Sequence, residues 1–281
     1  MSSLSSPALP VTLIRPRRGF AGLQLGELWR FRDLVLLLGM RDIRVRYKQT
    51  VLGAGWAILQ PLVSMVVLSL VFGGLLGVDK TTGDTPYPVF LYGGLLLWTF
   101  FATSVSTMAA SLVGGANMLQ KVYMPRVALP LASLGAPLID FAAALVILVG
   151  IMAWFSTAPT ATFVFLPVFL LVAVLAATGV GLLLAGLTVT YRDFRYVVPF
   201  LVQTWFFLTP VVAPVTVVPE GWRWVAALNP MAGTVEGFRA CVLGTPLDTG
   251  AAAISAATAV ACFVGGFLFF NRVERQFADV V

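Results

Sequence analysis

The chain has 281 residues, 59% hydrophobic and 11% charged, with a mean hydropathy of +0.95. Soluble domains carry roughly a quarter of their residues as charges, so this composition excludes an ordinary water-soluble domain. The absence of histidine excludes histidine acid–base chemistry, and the net charge of +6 sits in short loops between apolar segments rather than on a nucleic-acid face.

Residues 1–20 read as a flexible cytoplasmic tail and 21–50 as a cytoplasmic interface-helix region. Arg15, Arg17, Arg18 and Glu27, with no short cleavable apolar core, argue against a signal peptide. The first membrane helix is then expected to act as an uncleaved targeting signal. In LQLGELWRFRDLVLLLGMRDIRVRYK, Leu34, Leu37, Leu38 and Arg41 recur at helical spacing, and Trp29, Phe31 and Tyr47 suit the headgroup level. The pattern predicts an amphipathic helix lying in the cytoplasmic interface, the alternative being a polar tail with a short buried helix. Arg41, Arg44, Arg46 and Lys48 then place four cations in eight residues before a long apolar run. Such a cluster marks the cytoplasmic side of a first span.

Six apolar stretches are long enough to cross a bilayer, near 53–76, 88–112, 128–154, 163–187, 197–218 and 252–270, within a transmembrane domain at 51–271. The fifth is the least regular, because Pro210 and Pro214 interrupt it. With the N-terminus inside, fifteen of the eighteen basic residues fall on the cytoplasmic side, and only Lys80, Arg223 and Arg239 fall outside. That bias predicts both termini in the cytoplasm, with a cytoplasmic tail at 272–281. The expected class is an all-α membrane protein.

Residues 219–250 are too apolar for a free loop and too interrupted for a full crossing. A pair of short re-entrant helices between spans five and six is expected there. Asn229 can cap one of them with Pro230 in its first turn, and Gly244 can end it.

No GxxxxGK[ST] nucleotide loop is present, and Cys241 and Cys262 have no metal-ligand spacing, so no metal site is expected. The glycines of VFGGLLG and LYGGLLLW, inside or beside spans, point to close helix packing rather than phosphate binding. Asp140, deep in PLIDFAAALVILVG, is costly at membrane depth, about 2.5–3.5 kcal/mol on insertion scales. It reads either as a proton-coupling group or as a structural hydrogen-bond partner of a neighbouring helix. Two mid-span aromatic clusters supply candidate channel-lining residues: Trp98, Phe100 and Phe101, and Trp205, Phe206 and Phe207. Rings can stack on sugars or line an apolar passage, and a packed helix interface has the same composition. Trp154, Trp222 and Trp224 read as interface anchors near the outer face.

The phrases RDIRVRYKQTVLGAGWAILQPL, LQKVYMPRVALPLA, TYRDFRYVVPFLVQTWFFLTPV and LNPMAGTVEGFRACVLG together resemble the membrane subunit of polysaccharide ABC exporters. These are ABC-2 type permeases of the O-antigen, capsular polysaccharide and teichoic acid export group. The resemblance covers about residues 25–270. It implies an interface helix, six spans, re-entrant helices between spans five and six, and a pore made by two copies. It also implies two separate ATPase subunits that use ATP and Mg, no cofactor in this chain, and no covalent chemistry by it. The implied substrate is a lipid-linked glycan leaving the bacterial cytoplasmic (inner) membrane, and nucleic acid is not a partner.

By the same resemblance, Asn117, Leu119, Gln120, Lys121, Tyr123, Pro125 and Arg126 match the element that couples to the ATPase. Residues Glu27–Leu38 match the helix that frames this contact. Arg41, Arg44, Arg46 and Lys48 match the basic approach that can meet the substrate pyrophosphate, and Arg192, Asp193 and Arg195 match a charged cytoplasmic turn. The rival readings are an ABC-2 exporter of a lipid, drug or other small molecule, a proton-driven transporter using Asp140, and a membrane scaffold.

Overall fold

The computed structural model describes residues 29–48, 55–83, 85–119, 121 and 124–274, and among them every extended regular element is helical. The expected tail at 1–20, Glu27, Gln120, Tyr123 and residues 275–281 lie outside the described residues. In chain order the helices are α1 (Arg32–Lys48), α2 (Gly55–Leu68), α3 (Tyr87–Gly114), α4 (Ala116–Leu119), α5 (Ala128–Ala132) and α6 (Gly135–Trp154). They continue with α7 (Leu166–Thr190), α8 (Phe194–Leu208), α9 (Glu220–Ala227), α10 (Ala232–Leu243) and α11 (Thr249–Val273). A π-helical stretch, Ser69–Leu75, prolongs α2.

Among the described residues five helical segments are long and apolar enough to cross a membrane: Ile58–Leu75, Tyr87–Gly114, Ala128–Trp154, Ala161–Thr190 and Thr249–Val273. They correspond to the first four expected spans and the sixth. The expected fifth, 197–218, is instead the 15-residue α8 followed by turns and a short 3-10 helix, Val215–Val217. At 1.5 Å per residue α8 reaches about 22 Å, short of the roughly 30 Å hydrocarbon core. The reason is local. Pro210 crowds the residue before it, and Thr209 is extended at φ −103° and ψ 137°.

The bundle is organised around α3, whose sides are covered by α2, α6, α7, α8 and α10. Tyr92, Leu91, Leu97 and Phe101 on it are fully enclosed. The broadest helix contact joins α7 to α11. There Gly179 and Gly266 set backbone against backbone, and a Cβ on either would overlap main-chain atoms of the other helix. This is the close packing of small residues expected where lipid leaves no hydrophobic force between helices.

Helix α1 packs on α5 and α6. Its inward stripe is Leu34, Val35 and Leu38, continued by Gly39, which a Cβ would bring to 3.3 Å from the Ala132 carbonyl. The expected stripe ran through Leu37 and Arg41, but Leu37 is 62% exposed and Arg41 lies on the outer side. The register is turned by about one residue because Gly39 is where the helix can come closest.

Candidate functional site

The four basic residues Arg41, Arg44, Arg46 and Lys48 differ in their partners. Arg41 turns back on its own helix, donating from Nε and Nη2 to Asp42 Oδ1 at 3.0 and 2.8 Å, and from Nη1 to Met118 Sδ at 3.3 Å. Arg44 and Lys48 are exposed. Arg46 instead reaches a membrane helix, its Nη2 lying 2.8 Å from Asp140 Oδ2. The other carboxylate oxygen of Asp140, Oδ1, accepts from the Tyr47 hydroxyl.

This trio accounts for an acid at membrane depth. Asp140 is 16% exposed and Arg46 40%, so the carboxylate is mostly enclosed while its cation keeps more of its surface exposed. Helices α1 and α6 meet first where Gly135 faces Gly39, a Cβ on Gly135 lying 3.7 Å from Gly39 Cα. Asp140 follows Gly135 by five residues and Arg46 follows Gly39 by seven, so the two helices advance together to the ion pair. Burial, with the Asp140 hydrogen bond, pushes the Tyr47 phenol up to about 12, which keeps it a neutral donor.

Of the coupling candidates, Asn117, Leu119, Lys121, Pro125 and Arg126 are among the described residues. Asn117 is exposed and Leu119 half-buried on α4, Lys121 is exposed, and Pro125 is buried. Arg126 is anchored across the bundle: its amide donates to Glu274 Oε1 at 3.2 Å and its Nη1 to the Glu274 carbonyl at 2.6 Å. Arg192 and Asp193 are exposed in the turn between α7 and α8, and Arg195 is exposed in the first turn of α8.

The aromatic clusters meet each other. Trp98 packs on Phe101 and Phe206 with ring centroids 5.4 and 5.8 Å apart, and Phe101 packs edge-on against Trp205 at 5.2 Å. Phe100 meets Phe141 at 5.7 Å. Trp98, Phe100 and Phe101 are buried, whereas Phe207 is 71% exposed on the outer face of α8. Within the protomer these rings weld α8 to α3, and only Phe207 offers most of its surface to an outside partner.

Charge pattern pointed to none of the roles of Arg239, which it placed only among the outer basic residues. Arg239 is 1% exposed and caged by main-chain carbonyls. Its Nε donates to Phe90 O at 3.0 Å, Nη1 to Pro210 O at 2.6 Å, and Nη2 to Val211 O. Its guanidinium lies 3.7 Å from the Phe90 ring centroid and 3.5 Å from Glu236 Oε1, which also accepts from the Val215 amide at 3.1 Å. Gly94 makes the room, since a Cβ there would overlap Nη2. The available signal was an Arg three residues after a Glu inside an apolar run, a pair that one helix face can bury together.

Asn229 ties the hairpin of α9 and α10 to α8. Its Oδ1 accepts from Trp205 Nε1 and from the Met231 amide, both at 3.0 Å, and its Nδ2 donates to Leu208 O at 3.2 Å and Thr209 Oγ1 at 3.0 Å. The side chain therefore caps the turn ahead of α10 and the frayed end of α8 together, and the helix begins at Ala232 rather than at Pro230. Gly244, at φ 70°, ends α10 as expected. Cys241 and Cys262 are both free thiols.

A bundle with five helical segments long and apolar enough to cross a membrane among the described residues is the architecture of an integral membrane protein. The family model of the ABC-2 type transporter matches residues 33–243, and the chain belongs to that family. It is 30% identical to the O-antigen export system permease protein RfbA of Myxococcus xanthus, over 91% of this chain and 98% of that one. It is 25% identical to an RfbA of Klebsiella pneumoniae, over 89% of this chain and 95% of that one. To the polysialic acid transport protein KpsM of Escherichia coli it is 26% identical, over 85% and 93%.

Proposed function

We propose that this chain is the channel-forming permease subunit of an ATP-driven exporter. The cargo is a lipid-linked polysaccharide, an O-antigen or related cell-envelope glycan, moved across the bacterial cytoplasmic membrane. The observation that carries the reading is the near end-to-end match to O-antigen permeases, 91% of this chain against 98% of the Myxococcus protein. Two copies form the passage, and two separate ATPase subunits bind ATP and Mg and drive it.

In this reading α1 frames the cytoplasmic entrance, with Arg41, Arg44, Arg46 and Lys48 meeting the phosphate of the lipid carrier. Exposed guanidinium and ammonium groups suit that task, because charge-assisted contacts to phosphate are the strong ones. Residues 209–218 complete the fifth crossing that α8 begins, with the Pro210 and Val211 carbonyls satisfied by Arg239. Both termini lie in the cytoplasm. The corner from Asn117 to Arg126 meets the ATPase, with Arg126 anchored to Glu274.

The test is surface glycan in a strain lacking this gene. Export is expected to be lost, with lipid-linked glycan accumulating inside, and to return with the wild-type gene. Arg44→Gln with Arg46→Gln should insert normally and assemble with the ATPase while export falls about tenfold or more, since the positive-inside bias survives two lost charges. Glycan at the surface of the deletion strain at wild-type level would refute the reading.

The coupling contact is tested separately. A cysteine at Lys121, on a background lacking Cys241 and Cys262, should crosslink to a cysteine on the ATPase surface, and crosslinking should stop turnover. Crosslinks only from the Arg192–Arg195 turn would move the contact there.

A further inference from the structure

We propose that Asp140 is a built-in occupant of the anion site on Arg46, a carboxylate latch that the lipid-borne phosphate displaces on entry. The inference rests on the entrance role proposed above and assigns a task to an acid which that role does not need.

Arg46 differs from its neighbours in what it touches. Arg41 is tied to Asp42 and Met118 on the cytoplasmic side, and Arg44 and Lys48 are exposed. Arg46 is paired with an acid on a membrane helix, about 7.5 Å beyond Gly135 at 1.5 Å per residue. Cation and carboxylate are stored beside the membrane as a neutral ion pair. Without Asp140 the guanidinium would wait unpaired, and without Arg46 the acid would keep only the Tyr47 hydroxyl.

The pair is built to be exchanged. Asp140 spends one oxygen on Arg46 and the other on Tyr47, so the two-oxygen fork that makes Arg–carboxylate pairs tight is not formed. A phosphate brings more acceptor oxygens, and the Arg46 side chain keeps 40% of its surface exposed while paired. When phosphate takes the guanidinium, Asp140 keeps the Tyr47 hydroxyl and is not left bare. Tyr47 thus lowers the cost of opening the latch. Release also removes a tie between α1 and α6, which couples arrival of the lipid head to movement of the approach helix. A ligand shifts such an equilibrium only by its differential affinity for the two states, and here the difference is the freed arginine.

The mechanism gives two substitutions opposite signs. The permease, assembled with its ATPase in lipid nanodiscs, is titrated with radiolabelled polyprenyl pyrophosphate lacking glycan. Asp140→Asn is expected to lower the half-saturating concentration by about fivefold to tenfold, and Arg46→Gln to raise it about tenfold or more. The double variant should match Arg46→Gln. Tyr47→Phe keeps the ring but removes the fallback donor, so binding should weaken by a few-fold. Adding Asp140→Asn should restore it.

If Asp140 only buttresses α1, Asp140→Asn and Tyr47→Phe will both weaken binding, and the latch is refuted while the entrance role stands. If neither Arg46→Gln nor Asp140→Asn changes binding in an assembled complex, the site on Arg46 is refuted as well. Inorganic pyrophosphate is the second probe. Capture of it with the same strength and the same dependence on Asp140 would overturn the assignment to a lipid headgroup. The surface-glycan assay on the wild-type gene remains the separate measure of the export reading itself.

Discussion

Arg239→Leu is expected to remove folded protein from the membrane, with a loss on the order of 3–5 kcal/mol, the range for breaking a buried charged cluster by deleting one partner. The substitution leaves the carbonyls of Phe90, Pro210 and Val211 without their donor and strands Glu236, in a place that water reaches poorly. Those carbonyls belong to α3 and to the broken chain after α8, so one guanidinium holds two elements that have no helical ladder between them. Arg239→Lys keeps the charge but has a single nitrogen, which cannot serve Phe90 on one side and the Pro210–Val211 pair on the other. It should fall between wild type and leucine. Gly94→Ala should resemble leucine, because its Cβ would occupy the space of Nη2. Melting temperature and yield in detergent are the measurements, and a leucine variant that melts with wild type would refute the clamp.

Gly266→Leu is expected to be at least as damaging, for a reason that involves no charge. A Cβ at Gly266 would overlap the main chain of Gly179, and one at Gly179 would overlap the main chain of Cys262. Side chains can rotate away from an intruder, but backbone in a helix cannot, so α7 and α11 must separate. Overpacking ordinarily costs about 1–3 kcal/mol, and a rigid wall on both sides puts even Gly266→Ala at the upper end of that range. The adjacent Gly265→Ala is the control, since nothing lies within 4 Å of the added carbon. It should be neutral or stabilising by up to about 1 kcal/mol from helix propensity. Equal melting of the two alanine variants would refute the close crossing.

Much of the scaffold was readable before any packing was known. Hydropathy and loop charge are local quantities, and they located the first four spans, the sixth, and the pair of short helices at 219–250. Gly244 could be read as a helix end because a positive φ is a property of one residue. Pro210 and Pro214 gave warning over the fifth span, and the helix does end at Leu208, just ahead of them.

Which face of each helix turns inward was not readable, and the site depends on it. In water an apolar stripe shows which side is buried, but in lipid every face is apolar, so periodicity loses its meaning. The first span is as greasy as the second, yet 11% of its apolar window is buried against 78% for α3. For that reason the sequence did not show that Trp205 and Phe206 lie against Trp98 and Phe101. The partners that matter are also far apart in the chain. Tyr47 and Asp140 are 93 residues apart, and Arg239 and Phe90 are 149. Composition dictates a helical membrane bundle, because each segment partitions into lipid on its own merits. Folding alone selects the acid for Arg46 and the cage for Arg239, because a buried charge can be satisfied only by whatever the neighbouring helices bring within about 3 Å.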